Sequence, residues 1–575
     1  MRSLGLAVLL GLILASCGGK SGPAARSADS PADEAPTRGG RLAVALGADP
    51  KTLNPIFAAD HPSTAVVRRT TADLIHINRL TQQTEGALAE SWTVSEDGTT
   101  YRLELRRGVL FSDGEPFDAD DVVFSFRAIQ DEAVASPNRD LLVLDGVPIE
   151  VRKIASHTVE FDLGKPHAVG DRVFDSVPIL PSHLLEESYL EGTLGEVWGL
   201  GADPAAIAGL GPFRFKSYAP AQRLVLERNP HYWRKEARGG PLPYLDELVF
   251  QITPNEDTQA LRFQSGEIDL VDGLSAANFS VLEAGAADRG YELFDLGPGL
   301  QFDLLFFNLN PPDPRNEKQR LRAKWLGNKA FRQAVSAAVD REGIARLVYR
   351  GRATPIWSQV SPGNRLWFNA DLPRPPRSLE RARALLSAAG FSWRDGRLVD
   401  ADSLPVALSL ATNSSNSARV QMLTIIGEDL RELGMQIQIV TLELRALIGR
   451  VFETKDYDLC VLALGGGDAD PNPLMNVLLS SGATHLWNPG SSQPPPPWQA
   501  EIDRLMTGQA TVLARDQRKR MYDRVQELIA DELPMVALVS PNVLVGARSG
   551  LGNFRPAILD HQTLWNVEEL YWKSR

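Results

Sequence analysis

The residues able to do chemistry are few in this 575-residue chain, and their spacing argues against most catalysts. Eight histidines occur, never at the i, i+4 separation that puts two imidazoles on one helix face for a metal, and HExxH, GxSxG and CxxC are all absent. Gly19-Lys20-Ser21 imitates the end of a phosphate loop, but the glycine required five positions earlier is Leu14 and no strand precedes it. Glu267 and Asp269 alternate along an expected strand, where a solvated face explains them. A glycosidase-type carboxylate pair assembled from distant residues stays open. Two cysteines remain. Cys460, within DYDLCVLAL, reads as a buried strand thiol, and Cys17 follows an apolar run and precedes Gly18-Gly19.

Cys17 is explained by what comes before it. Leu4 to Ala15 is almost wholly Leu, Ala, Ile, Val and Gly, with Arg2 ahead of it. Such a run is too short for a membrane span, which needs about 20 apolar residues, and suits the apolar core of an export signal. Leu14-Ala15-Ser16-Cys17 resembles the bacterial lipobox, in which the cysteine thiol takes a diacylglyceryl group and becomes the new N-terminus. Residues 1–16 are therefore expected to be a lipoprotein signal peptide, with Cys17 lipidated. Residues 17–39, rich in Gly, Ser, Ala, Pro and charge, read as a disordered tether. Its reach of roughly 25 Å would hold a folded body close to a bilayer.

Composition bounds that body. The whole chain has 43% hydrophobic and 23% charged residues, and the body is long enough for more than one core. A net charge of −12 without a long basic stretch argues against a nucleic-acid partner. With Cys17 acylated, Cys460 has no disulfide partner.

The elements that must position any site follow from periodicity. Leu42, Val44 and Leu46 alternate as in a half-buried strand; Tyr101, Leu103 and Leu105 repeat the pattern between the turn pairs Asp97-Gly98 and Asp113-Gly114. Asp118 with Asp121 three positions on is a helix capping pair, not a catalytic one. Beyond residue 300 the rhythm turns α/β. LPVALSLAT, a helix over 418–433, MQIQIVTLE, a helix near 444–454 and DLCVLALG make a βαβαβ unit, and MVALVSPNVLVGAR is a last strand.

LAESWTVSEDGTTYRLELRRGVLFSDGEPFDADDVVFSF, residues 88–126, closely resembles the family 5 extracytoplasmic solute-binding proteins, which are the peptide, oligopeptide and nickel-binding components of ABC importers. Four further blocks match in order: GADPKTLNP at 47–55, GLGPFRFKSYAPAQRLVLERNPHYW at 209–233, LRFQSGEIDLV at 261–271 and NKAFRQAVSAAVDREGIARLVYRG at 328–351. The resemblance implies an α/β, two-lobed clamshell of the periplasmic-binding-protein kind, type II-like, with an extra subdomain (about 80–190) in the larger lobe. That lobe would hold residues 40–306 and 541–575, the second lobe 307–540. The crossings, near FFNLN at 306–310 and LVSPN at 538–542, make Asn308 and Ser540 the expected hinge.

It further implies a solute bound between the lobes, in many members by backbone hydrogen bonds and an aspartate for the solute's amino group. By position, the ligand-binding candidates are Ala48 and Asp49 in the first lobe, and Gly465, Gly466, Gly467 and Asp468 in the second. Asp468 would pair with an amine, although it lies one residue nearer Pro471 than the family's aspartate and Gly467 takes the strict position. Asp470 either meets ligand or caps the next turn; Trp487 either stacks on ligand or packs. The expectation is a lipid-anchored, monomeric, extracytoplasmic receptor, on the periplasmic or cell-surface side of a bacterial membrane. It would deliver peptide or peptide-like solute to an ABC permease, with no cofactor, no metal and no catalysis. A secreted hydrolase, and a binder of oligosaccharide or another solute acting as sensor or chaperone, are the alternatives.

Overall fold

The computed structural model describes residues 36–144, 146–175, 177–465 and 469–574. Cys17, Gly466, Gly467 and Asp468 lie outside the described residues.

One long strand organises the body. Met535–Arg548 is shared by two sheets, one per lobe. Its second half pairs antiparallel with Tyr291–Pro298 and Leu270–Val271. From there the first-lobe sheet continues through Arg41–Leu46, Glu247–Ile252, Arg223–Arg228 and Phe213–Ala219. Arg41–Leu46 and Glu247–Ile252 run parallel, and Phe213–Ala219 with Arg223–Arg228 forms an antiparallel hairpin.

The first half of the long strand pairs with Phe302–Phe307, which leads to Leu459–Leu464, Ala407–Asn413 and Gln436–Leu442. The βαβαβ unit is present, with Ala407–Asn413 parallel to both of its neighbours. Phe302–Phe307 is buried at all six positions. Phe302, Leu304 and Phe306 enter one core, Leu305 and Phe307 the other, because successive side chains leave a strand on opposite faces and both faces here are covered by helices.

The subdomain is a four-stranded antiparallel sheet, ordered Ala89–Val94, Thr100–Leu105, Thr158–Asp162, Glu150–Ala155. Helix Ala119–Gln130 packs on it, with Phe126 4.9 Å from Phe161 between ring centroids. The helix starts with the capping box expected from Asp118 and Asp121: Asp121 Oδ2 accepts from the Asp118 N–H at 3.0 Å, and Asp118 Oδ1 from the Asp120 N–H at 2.7 Å.

The outgoing crossing departs from expectation. Strand Phe302–Phe307 already belongs to the second sheet, so the chain crosses at 299–301, just after Gly297, whose φ of +77° suits a turn. Asn308 is therefore not at the hinge. It sits at the far end of its strand, where its Nδ2 donates to Lys455 O at 2.9 Å and Tyr457 O at 2.6 Å. An apolar FFNLN run resembles a crossing only until burial on both faces claims its phenylalanines for a core. Ser540 lies in the middle of the long strand, fully buried, with Oγ 3.0 and 2.9 Å from the carbonyl oxygens of Gly299 and Gln301.

Candidate functional site

The lobes meet away from the hinge as well. The Ala168 N–H in the subdomain donates to Ala510 O at 2.8 Å, and Leu513 packs its side chain over Gly98. Deeper in, Gln82 Nε2 lies 3.4 Å from Gly363 O. These contacts bring the lobes together, and the candidate site lies along the seam between them.

On the second-lobe side, strand Leu459–Leu464 ends at Gly465. A Cβ there would stand 2.6 Å from Gln301 Cα, so only glycine lets this strand end press against the crossing segment. Gly465 and Asp470 line a small cavity of about 60 Å³ together with Gln359, Ser361, Asn364 and Tyr522. Asp470 is buried, and its carboxylate accepts two bonds of 3.0 Å from Arg518. Oδ1 also accepts from the Asn472 N–H at 3.0 Å, which caps the next turn. Both oxygens are committed, so Asp470 holds the cavity wall rather than presenting a free carboxylate to a solute. Arg518 is held in turn by Gln509 and stacks on Trp367 at 4.8 Å.

Trp487 is 1% exposed, and its Nε1 donates to Gln499 Oε1 at 3.2 Å beside the ring of His485. Packing, not ligand stacking, accounts for it. In the first lobe Ala48 is exposed. Asp49 Oδ1 accepts from Tyr218 Oη at 2.7 Å and from the Ala221 N–H at 2.9 Å, tying the end of strand Arg41–Leu46 to the neighbouring hairpin. The structure thus brings Gly465 and Asp470 together, keeps Ala48 and Asp49 in the other lobe and sends Trp487 into a core.

Several cleft residues carry no sequence signal. Gln82 Oε1 and Asn364 Oδ1 are sealed from solvent without a hydrogen-bond partner, and Gln82 takes a left-handed φ of +62°. An unsatisfied buried acceptor costs about 1–3 kcal/mol, so two flanking one interlobe seam mark a place suited to donors from a solute. No local motif distinguishes these amides from surface glutamine and asparagine; only the approach of the lobes does. Near the carboxyl end of Ala407–Asn413, Asp303 is buried between Tyr349 Oη at 2.6 Å and Arg419 Nε at 3.5 Å. Burial raises its carboxyl above the ordinary carboxylate range, against the pull of Tyr349 and Arg419.

Two other features are not chemical sites. Cys460 is fully buried, and burial pushes its thiol up, away from the reactive thiolate. Asp73, His76 and Asp175 bring ligand-type atoms within 4.8 Å of one another, but Arg79 donates to both Asp175 oxygens at 3.3 and 3.0 Å. The guanidinium already supplies the positive charge that a metal would bring. Among the described residues no helix is long and apolar enough to cross a membrane.

Two α/β lobes joined through a shared strand and meeting along a polar seam define a clamshell binding protein. Residues 83–485 match the model of the bacterial extracellular solute-binding proteins, family 5, and the chain belongs to that family. It is 27% identical over 478 residues to the dipeptide-binding protein of Escherichia coli, covering 80% of this chain and 82% of the relative. It is 24% identical over 592 aligned residues to the oligopeptide-binding protein AppA of Bacillus subtilis, covering 100% and 99%. Among solved structures, the ABC transporter substrate-binding protein CtaP of Listeria monocytogenes superposes with a TM-score of 0.76 at 23% identity, covering 94% of this chain and all of that one, a likeness of fold.

Proposed function

We propose that this chain is a lipid-anchored receptor that captures a peptide or peptide-like solute between its lobes and delivers it to the permease of an ABC importer. The observation that carries the peptide assignment is the pair of buried, unpaired amide oxygens at the seam, Gln82 Oε1 and Asn364 Oδ1. Peptide backbone N–H groups are the donors they lack, and a solute bonded through its backbone is held whatever its side chains. The peptide-binding relatives support the same reading. No catalytic step is required: the solute favours the closed state by its difference in affinity for closed and open forms, and the permease reads closure. Asp468 is the proposed partner of a solute amine, Ser540 the proposed hinge residue and Cys17 the proposed acylation site, with the protein acting as a monomer outside the cytoplasm.

The test is a thermal-shift screen of di- to pentapeptides and oligosaccharides on protein unfolded and refolded to strip bound solute. A ligand at 100 times its Kd adds about 2.7 kcal/mol and raises Tm. Stabilisation by peptides supports the assignment; stabilisation by sugars alone moves the receptor to another solute.

A further inference from the structure

A cavity of about 460 Å³ opens in the first lobe between helix His61–Thr70, the segment 560–564 and the carboxyl ends of Arg41–Leu46 and Leu270–Val271. Carboxyl ends of parallel strands are where open α/β sheets take ligands. His61 and Asp560 stand exposed at its mouth, Arg68 and Arg69 line the helix side, and His561 faces them. A second cavity, of about 90 Å³, touches the same arginines from the other side.

The cations here are not equivalent. Arg68 lies 3.8 Å from Asp175, Arg79 is bonded to the same carboxylate, and Arg234 pairs with Glu568. Arg69 is 5% exposed and makes no side-chain hydrogen bond or ion pair among the described residues, and its Nε is sealed off without an acceptor. Asp175 and Glu568 are paired with those arginines, while Asp272 accepts from Thr563 Oγ1 at 3.1 Å and makes no ion pair with Arg69. Burial, then the like charge of Arg68, bring the Arg69 guanidinium down to about 9 against the pull of Glu568, with Arg79 lowering it and Asp272 raising it by less. Burial and the same arginines hold His561 well below its ordinary value, so it faces the cavity as a neutral imidazole. A buried guanidinium with no carboxylate in direct contact is costly, and an arriving anion lowers that cost.

We propose that Arg69 anchors an oxyanion subsite in this cavity, taking a carboxylate or phosphate group of the captured solute. The inference rests on the receptor reading and narrows its solute to one with a compact negative group. Asp272 and Asp560 also line the cavity, and their charge disfavours a polyanion.

Calorimetric titration of the purified protein with succinate, inorganic phosphate, and tetrapeptides with free or amidated C-termini tests the subsite. Succinate or phosphate should bind, and whichever binds more tightly names the group. Losing one charge-assisted donor should weaken that binding about ten-fold in Arg69→Gln. His61→Glu, at the exposed mouth, should weaken it about three-fold by repulsion without touching the core. The Tm of Arg69→Gln should not fall, because the variant loses a buried charge that no carboxylate contacts directly. Equal affinity in wild type and both variants, or no oxyanion binding to wild type, overturns the subsite. If free and amidated peptides bind alike and independently of Arg69, the subsite falls and the receptor reading stands. If no peptide binds but succinate or phosphate does in an Arg69-dependent way, the subsite stands and the peptide assignment falls.

Discussion

Asp470 and Arg518 form a buried, two-point ion pair, with both N–O distances at 3.0 Å, that fastens the loop after Leu459–Leu464 to helix Arg515–Glu532. Removing one partner of such a pair leaves a buried charge alone and costs about 3–5 kcal/mol. Arg518→Ala should therefore lower stability by that order in denaturant titration. Arg518→Lys should recover only part of it, because an ammonium cannot match two carboxylate oxygens. A solute-contacting Asp470 would give the opposite pattern, with affinity falling while stability holds.

Gly465 and Ser540 pack against the crossing segment closely enough to make it sensitive to single atoms. Gly465→Ala places a methyl group 2.6 Å from Gln301 Cα, so the strand end must move. A loss of about 1–3 kcal/mol is expected from overpacking, with a matching fall in Tm. Ser540→Ala removes the hydroxyl that links the crossing segment through Gly299 and Gln301, at about 0.5–1.5 kcal/mol. If neither variant alters Tm or the closed population seen by small-angle scattering, the hinge lies elsewhere.

Closure also depends on the rim. Leu513, 45% exposed, rests on Gly98 beside the bond from the Ala168 N–H to Ala510 O. Leu513→Asp should leave each lobe's core intact and favour opening. The expected readouts are a larger radius of gyration without solute and an affinity weakened about five-fold for whichever solute the screen finds, following the lost apolar contact. Unchanged scattering would show that the rim contact adds nothing to closure.

Acid should destabilise the fold before the bulk of its carboxylates titrate. His485 is buried against Trp487, its Nδ1 2.9 Å from Val477 O, and burial lowers its pKa from 6.5 despite that bond and nearby Asp503. Between the lowered folded value and 6.5 the unfolded chain binds more protons. Stability from this group is thus complete above 6.5 and is lost as pH falls through the folded value. His561 acts in the same direction. Tm measured from about pH 8 to about pH 5 should fall, and less steeply in His485→Gln, whose amide can still reach the carbonyl. An identical slope in the variant would remove His485 as a contributor.

Much of this protein is legible along the chain because it depends on local repeats and near neighbours. Alternating apolar residues give the strands, Asp118 and Asp121 the helix cap, and LPVALSLAT through DLCVLALG the parallel unit of the second lobe. Five ordered blocks are enough to place the family. What depended on the tertiary structure joins residues hundreds of positions apart. Burial on both faces draws Phe302–Phe307 into the second sheet and moves the crossing from 306–310 to 299–301. Arg518 takes the carboxylate of Asp470, a core takes Trp487, and the meeting of lobes creates the empty acceptors of Gln82 and Asn364. Arg69 looks like any arginine on a helix until three neighbours claim the carboxylates around it. Residue type and period determine the elements; which polar groups are left without partners is settled only when distant segments pack, since burial and pairing are properties of the assembled neighbourhood.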